Sequence, residues 1–449
     1  MKKLVSIVLA LALVLAVATA FAGSISITPP SNNPADAANS YEIYKVFDGV
    51  GDGNGHISYT LMSGKTAPPT GFELDSAGNI HLTRTTGDLT QLTTAEIEAL
   101  ADYVANDNPV ATATSTGTAV ATATGLADGY YYIKTTTGSL VTVDTTNPDA
   151  QVIDKNTVPE LDKKITGASD ITDEGKKALA QIGTDVEYTV PITVGQGSIN
   201  LVFHDKMQTG LTFKGNDSVT VTANPAISTE NWYTIKTTPD TGDDLTITFV
   251  DGIAKDTVIT VKYLATINAE ALTKLENDAY LTYGENHHTT HKKTETYNAE
   301  ISVIKYDGAK ADNKFLGDAG FKLKNAEGKY YKLTGTVVSW VDTEAEGDEH
   351  KSSATDGKVP AFIGLPNGTY TLVETTVPAG YNKAADVSLT IASGDYSLDN
   401  LQQVAEIENN KGAELPSTGG IGTTIFYILG GLLVVGAAVI LVARRKAQD

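Results

Sequence analysis

From Ser24 onward the chain keeps returning to one device: short runs in which apolar or β-branched residues alternate with polar ones, closed off by Gly, Asp, Asn or Pro. Ser24-Ile25-Ser26-Ile27-Thr28, Tyr130-Tyr131-Tyr132-Ile133-Lys134, Leu245-Thr246-Ile247-Thr248-Phe249-Val250 and Val258-Ile259-Thr260-Val261-Lys262-Tyr263 are four of them. A period of two places successive side chains on opposite faces of a strand, so each run can bury one face and wet the other. Many short strands divided by turn residues imply an all-β chain of sandwiches. Two patches with helical spacing, Thr93 to Ala105 and Asn268 to Leu275, read as crossover helices packed on a sheet.

Both ends depart from this pattern. The start, Met1-Lys2-Lys3, leads into an apolar run from Leu4 to Val17 and a small-x-small site at Ala20-Phe21-Ala22. That order of features is a secretory signal peptide over residues 1–22, with Gly23 as the mature start. The far end carries a second apolar run, Ile421 through Val442, closed by Arg444-Arg445-Lys446. Twenty-two helical residues rise ~33 Å, enough to cross a bilayer, and the basic cluster stays cytoplasmic, leaving everything before it outside the cell. An exported chain with no cysteine has no disulfide staples, so any covalent reinforcement needs other chemistry. A net charge of −21 lacks the basic footprint of a nucleic-acid binder.

Immediately before the second apolar run stands Leu415-Pro416-Ser417-Thr418-Gly419. Motif, apolar helix and basic tail in this order resemble the sortase sorting signal of Gram-positive surface proteins, here residues 412–449. The resemblance implies cleavage between Thr418 and Gly419, so that the membrane anchor is transient and Thr418 becomes an enzyme-activated C-terminus.

Between the ends, polar and proline-bearing joints at 147–160 and 286–297 divide the strand-rich sequence into three modules, 23–156, 157–298 and 299–411. The third opens with Ile301-Ser302-Val303-Ile304-Lys305-Tyr306-Asp307. It carries Tyr370-Thr371-Leu372-Val373-Glu374 through Pro378-Ala379-Gly380-Tyr381, and ends with Ala405-Glu406-Ile407-Glu408-Asn409-Asn410. This set resembles the B-type repeat domain of collagen adhesins and pilins, with its YxLxExxxPxGY E-box. The resemblance implies immunoglobulin-like β-sandwich domains in an elongated row. It also implies a spontaneous amide bond between Lys305 and Asn409, assisted by Glu374. Independently, strand periodicity puts Val303 with Lys305, and Ile407 with Asn409, on one face each, so both groups can point into a core. Burial favours a neutral amine, which can attack, and a protonated carboxyl, which can polarise an amide carbonyl.

The second module opens with Leu161-Asp162-Lys163-Lys164-Ile165, contains Phe203-His204-Asp205-Lys206-Met207, and closes with Glu276-Asn277-Asp278-Ala279-Tyr280. It is similar to the middle domain of major pilins, which implies a Lys163–Asn277 bond assisted by Asp205. Lys164 is a rival nucleophile, and Glu187 or Glu230 a rival acid. The spans, 163 to 277 and 305 to 409, each tie a first strand to a last one. At the first joint, Gln151-Val152-Ile153-Asp154-Lys155-Asn156 occupies the place of the pilin motif but lacks its Tyr and Pro. The resemblance implies that Lys155 attacks the sortase-bound Thr418 of the next subunit, and that Asn156 pairs with Lys45 in a bond of the first module, whose acid stays open.

Asp48 to His56 lacks the alternating acids and terminal Glu of a calcium loop and reads as a hairpin tip. His287, His288 and His291 read as a solvated loop rather than a metal site. With no Walker loop, Gly-x-Ser-x-Gly or His-Glu-x-x-His, no turnover enzyme, cofactor or metal is indicated. The resemblances together imply a pilus shaft subunit whose partners are a class C pilin sortase, a housekeeping sortase, identical subunits, minor pilins and peptidoglycan. The alternative is a wall-anchored monomeric adhesin or minor pilin.

Overall fold

The computed structural model describes residues 23–447 apart from 52–55, 139–141, 146–148, 238–241, 269, 271–272, 336 and 414–420. The signal peptide and Leu415-Pro416-Ser417-Thr418-Gly419 therefore lie outside the described residues. The architecture is all-β, with the alternating runs forming strands as expected: Gly23–Thr28, Gly129–Thr135, Leu245–Phe249 and Val258–Ile267.

Residues 23 to 153 build a sheet around the long strand Ala38–Gly51, which pairs with Ile57–Leu61, Ala111–Thr116 and Gly129–Thr135. A three-stranded sheet faces it, with Gly23–Thr28 between Asp149–Ile153 in parallel and Ala121–Leu126 antiparallel. Ile25, Ile27, Tyr41, Ile43, Tyr131 and Val152 fill the space between. The helix Thr94–Val104 is set by a capping box, in which Thr93 and Glu96 satisfy each other's backbone N–H. Its Leu100 and Val104 pack on Val46, Phe47 and Phe72.

Residues 160 to 297 form two sheets. In one, Asp185–Thr193 pairs with Val258–Ile267 along nine residues. In the other, Lys274–Tyr283 lies between Val202–Met207 and Lys292–Tyr297. The third pair of sheets spans 299 to 409. There Ala299–Asp307 runs parallel to the last strand, Gln402–Asn409, and antiparallel to Lys358–Leu365. Gly320–Lys324 and Gly368–Thr376 centre the opposing sheet.

The second and third pairs of sheets share one continuous apolar core, in which Ile182 belongs with Leu365. The seam is also hydrogen-bonded: Ile182 N–H to Gly364 O (3.1 Å), Val338 N–H to Ile182 O (3.2 Å), and Trp340 Nε1 to Gln181 Oε1 (3.0 Å). Ser393 Oγ donates to Asp170 across the same seam at 2.6 Å.

Three sequence expectations need correction. Lys274 and Leu275 begin a strand, so the end of the proposed helix 268–275 is not helical. The stretch 292–297, read as linker, is a paired strand, and Asp149–Ile153 at the first joint is another. His287, read as solvated, is 5% exposed and accepts or donates a hydrogen bond at Thr136 Oγ1 (3.1 Å). At the far end the helix Ile421–Lys446 is long and apolar enough to span a bilayer.

Candidate functional site

Among the described residues two lysines are fully buried, and each stands at a predicted site. Lys305 shares the inner face of Ala299–Asp307 with Ile301 and Val303, all almost without solvent contact. The parallel register sets Lys305 beside Ile407 and Asp307 beside Asn409, which carries the Asn409 side chain forward to the lysine tip. Lys305 Nζ lies 2.5 Å from Asn409 Oδ1 and 3.2 Å from the Ile407 carbonyl. From the opposite sheet, Glu374 Oε1 accepts from Asn409 Nδ2 at 2.7 Å, while its Oε2 accepts from the Ala384 N–H at 2.7 Å. Burial pulls the Lys305 amine down to about 8, against the attraction of Glu374 and Glu408. Lys305 thus reaches the oxygen of the Asn409 amide and Glu374 its nitrogen, the placement of amine, amide and carboxyl group that amide exchange with loss of ammonia requires.

Lys163 sits where the edge strand breaks, between Glu160–Leu161 and Lys164–Gly167, both paired with Asp185–Thr193. The break turns Lys163 fully inward, while the Lys164 side chain stays 41% exposed near Asp162, so burial separates the two rivals. Asp205 is fully buried and takes hydrogen bonds from Lys163 Nζ and the Tyr263 hydroxyl on the same oxygen. Glu187 and Glu230 are surface residues by comparison. Asn277 is equally buried and donates to the Tyr263 hydroxyl at 3.3 Å. Tyr188 and Tyr263 stack 5.3 Å apart with Lys163 Nζ over both rings. Burial lowers the Lys163 amine and raises the Asp205 carboxyl, so both move toward the uncharged pair despite their mutual attraction.

The first module is different. Lys45 pairs with Asp48 (2.8 Å), whereas Asn156 folds back on Asp154, its Nδ2 donating to Oδ1 at 2.7 Å. Asp154 also accepts from Tyr41, Thr135 and Thr137. The strand residue that reaches Asp154 is thus Tyr41. Lys45 lies four residues further along, ~13 Å at the strand rise, so the expected Lys45–Asn156 pair is not brought together. Lys155 is exposed and lines a cavity of about 450 Å³ with Phe47, Tyr59, Phe72, Leu82 and Tyr130. Among the described residues there is no group of three or more His, Asp or Glu placed to hold a metal.

Tyr263 was not foreseen from the sequence, where it is one more apolar position in an alternating strand. The only signal was its place on the inward side of Val258–Ile267.

Two family models match the chain: the LPXTG cell wall anchor motif over residues 407–449, and the SpaA prealbumin-like fold domain over 299–411. No curated protein matches. Among solved structures, the T6 backbone pilin of serotype M6 Streptococcus pyogenes is similar at a TM-score of 0.55 and 18% identity, over 82% of this chain and 80% of that one. The Corynebacterium diphtheriae major pilin SpaA is similar at a TM-score of 0.51 and 16% identity, over 87% of this chain and all of that one. At these identities the likeness is one of fold. The chain is a secreted, LPXTG-anchored cell-wall surface protein with a prealbumin-like C-terminal domain, built on the fold of the Gram-positive backbone pilins.

Proposed function

We propose that this chain is the shaft subunit of a covalent, sortase-assembled pilus, folded as modules 23–156, 157–298 and 299–411. Sortase cuts between Thr418 and Gly419, and the resulting acyl-enzyme passes its Thr418 acyl group to Lys155 of a neighbouring copy. An amide forms, the sortase thiolate leaves, and repetition lengthens the fibre. The terminal subunit is attached to peptidoglycan through the same carbonyl. Class C and housekeeping sortases would divide these two steps, and minor pilins share the acceptor chemistry.

The observation that carries this reading is the pair of dry Lys–acid–Asn constellations in series, upstream of a wall anchor. We read each as the site of an autocatalytic amide bond, Lys305–Asn409 assisted by Glu374 and Lys163–Asn277 assisted by Asp205. The solved Corynebacterium pilin is described as a modular assembly stabilised by isopeptide bonds. A fibre loads every module in series, which gives reinforcement without disulfides a purpose. The exposure of Lys155 suits it to meet an enzyme.

The test is a denaturing gel of wall extracts. The wild type is expected to give a ladder of covalent multimers that Lys155→Ala abolishes. A ladder unchanged by Lys155→Ala would remove this lysine. A single band in the wild type would leave a wall-anchored monomer.

A further inference from the structure

The two constellations are not wired alike. In the third module the acid touches the amide directly, Glu374 Oε1 to Asn409 Nδ2 at 2.7 Å. In the second it does not. The antiparallel register places Asp205 opposite Ala279, so that Asn277 is its diagonal neighbour. Diagonal positions are ~7–8 Å apart, and Asp205 makes no direct hydrogen bond to the Asn277 amide, its Oδ2 being taken by Lys163 and Tyr263. The gap is bridged from the other sheet by Tyr263, whose hydroxyl donates to Asp205 Oδ2 and accepts from Asn277 Nδ2. Among the described residues Asp205 Oδ1 and Asn277 Oδ1 have no hydrogen-bond partner, and Tyr263 is hydrogen-bonded to both acid and amide.

We propose that Tyr263 is a catalytic residue of the second constellation, relaying a proton from Asp205 to the departing nitrogen of Asn277. The inference rests on the reading of Lys163 and Asn277 as bond partners. Lys163 enters as the free amine with Asp205 protonated. Nζ attacks Cγ of Asn277, the new C–N bond forms, and the carbonyl electron pair moves to Oδ1. The hydroxyl then reverses both of its hydrogen bonds: it takes the Asp205 proton and gives its own to Nδ2. The resulting Asp205 carboxylate removes one proton from the attacking Nζ, with which it is already in contact. The Cγ–Nδ2 bond breaks, its electron pair leaves with ammonia, and the Oδ1 pair restores the carbonyl. Asp205 and Tyr263 end as they began. Burial holds the phenol far above its ordinary range, which keeps its proton in place until the tetrahedral intermediate offers a stronger base.

The experiment is peptide mapping by mass spectrometry of the full-length chain, made by cell-free synthesis into detergent and sampled over time, as wild type, Tyr263→Phe and Asp205→Asn. The wild type is expected to yield both joined peptides, each short by one ammonia. Tyr263→Phe keeps the ring and removes only the relay. It is expected to slow Lys163–Asn277 joining roughly 100-fold, the scale of a lost general acid, while Lys305–Asn409 forms at the wild-type rate and reports correct folding. Asp205→Asn should stop the same bond. Equal Lys163–Asn277 rates in wild type and Tyr263→Phe would overturn the relay and leave the crosslink standing. A wild type that never joins Lys163 to Asn277 would overturn both.

Discussion

The backbone N–H of Ile182 donates to the carbonyl of Gly364 at 3.1 Å, joining the second and third pairs of sheets. A Cβ at Gly364 would lie 2.5 Å from the Ile182 side chain, and the residue holds φ +72°. Gly364→Ala therefore meets both a steric and a conformational penalty, ~1–3 kcal/mol together. The expected outcome is a lower melting temperature with exposure of the seam, seen as faster proteolysis near Gln181 and Val338. An unchanged melting profile would show that the seam gives way without cost.

Closing a loop of about 100 residues should contribute ~4–5 kcal/mol against the unfolded chain, by analogy with disulfides. Asn409→Ala and Glu374→Gln should each lose that amount in chemical denaturation, together with one ammonia deficit in intact mass. Lys164→Ala should leave the mass deficit of the second module intact while Lys163→Ala removes it.

An unjoined Lys305 gives a pH signature. Its folded amine lies at about 8, below the ordinary 10.5. Above the folded value the folded chain has released its proton while the unfolded chain still holds one, so stability rises with pH until 10.5 is passed. In Glu374→Gln, which loses the attraction that raises this amine and leaves it unjoined, stability should rise more steeply from pH 8 to 10 than in wild type, whose lysine the proposed bond consumes. Parallel pH curves for the two proteins would contradict this account.

His287 supplies a handle of the same sign at lower pH. Burial lowers its pKa below 6.5, with Asp154 and Glu285 opposing and His288 reinforcing. Below pH 6.5 the unfolded chain binds a proton that the folded chain resists, so acidification costs stability until the folded value is reached. Lys134, which approaches Glu285 at 3.6 Å, is the cation facing the same joint. Thermal unfolding at pH 7.5 and 5.5 should differ more for wild type than for His287→Gln.

The strands and the third constellation were legible because their signals are local. Alternation is visible wherever the inner face is apolar, and Lys305, Glu374 and Asn409 stand in fixed places relative to it. Lys292–Tyr297 escaped notice because its inner face is made of Thr294 and Thr296, which bury without looking hydrophobic. Lys163 could not be separated from Lys164 by periodicity, since the strand breaks between Leu161 and Lys164. Tyr263 and His287 depend on contacts across sheets or between modules, Tyr263 with Asp205 and His287 with Thr136, which no local pattern carries. For Asn156 the reason is different: the partner it takes, Asp154, is local, two residues away, and the fold holds Lys45 elsewhere.

On the proposed reading, the register of Lys305 and Asn409 at the far end of two parallel strands would bear on how a tethered cell resists flow. With that bond closed, a pull entering at Ala299 crosses to Asn409 and skips everything between. In the second module a Lys163–Asn277 bond would cross early, and residues 278 to 298 would remain in the line of force. Peeled away, they would pay out roughly 70 Å of chain. Each subunit would then carry one short reserve of slack beside two rigid stops, and a fibre of many such subunits would yield in small steps before it holds.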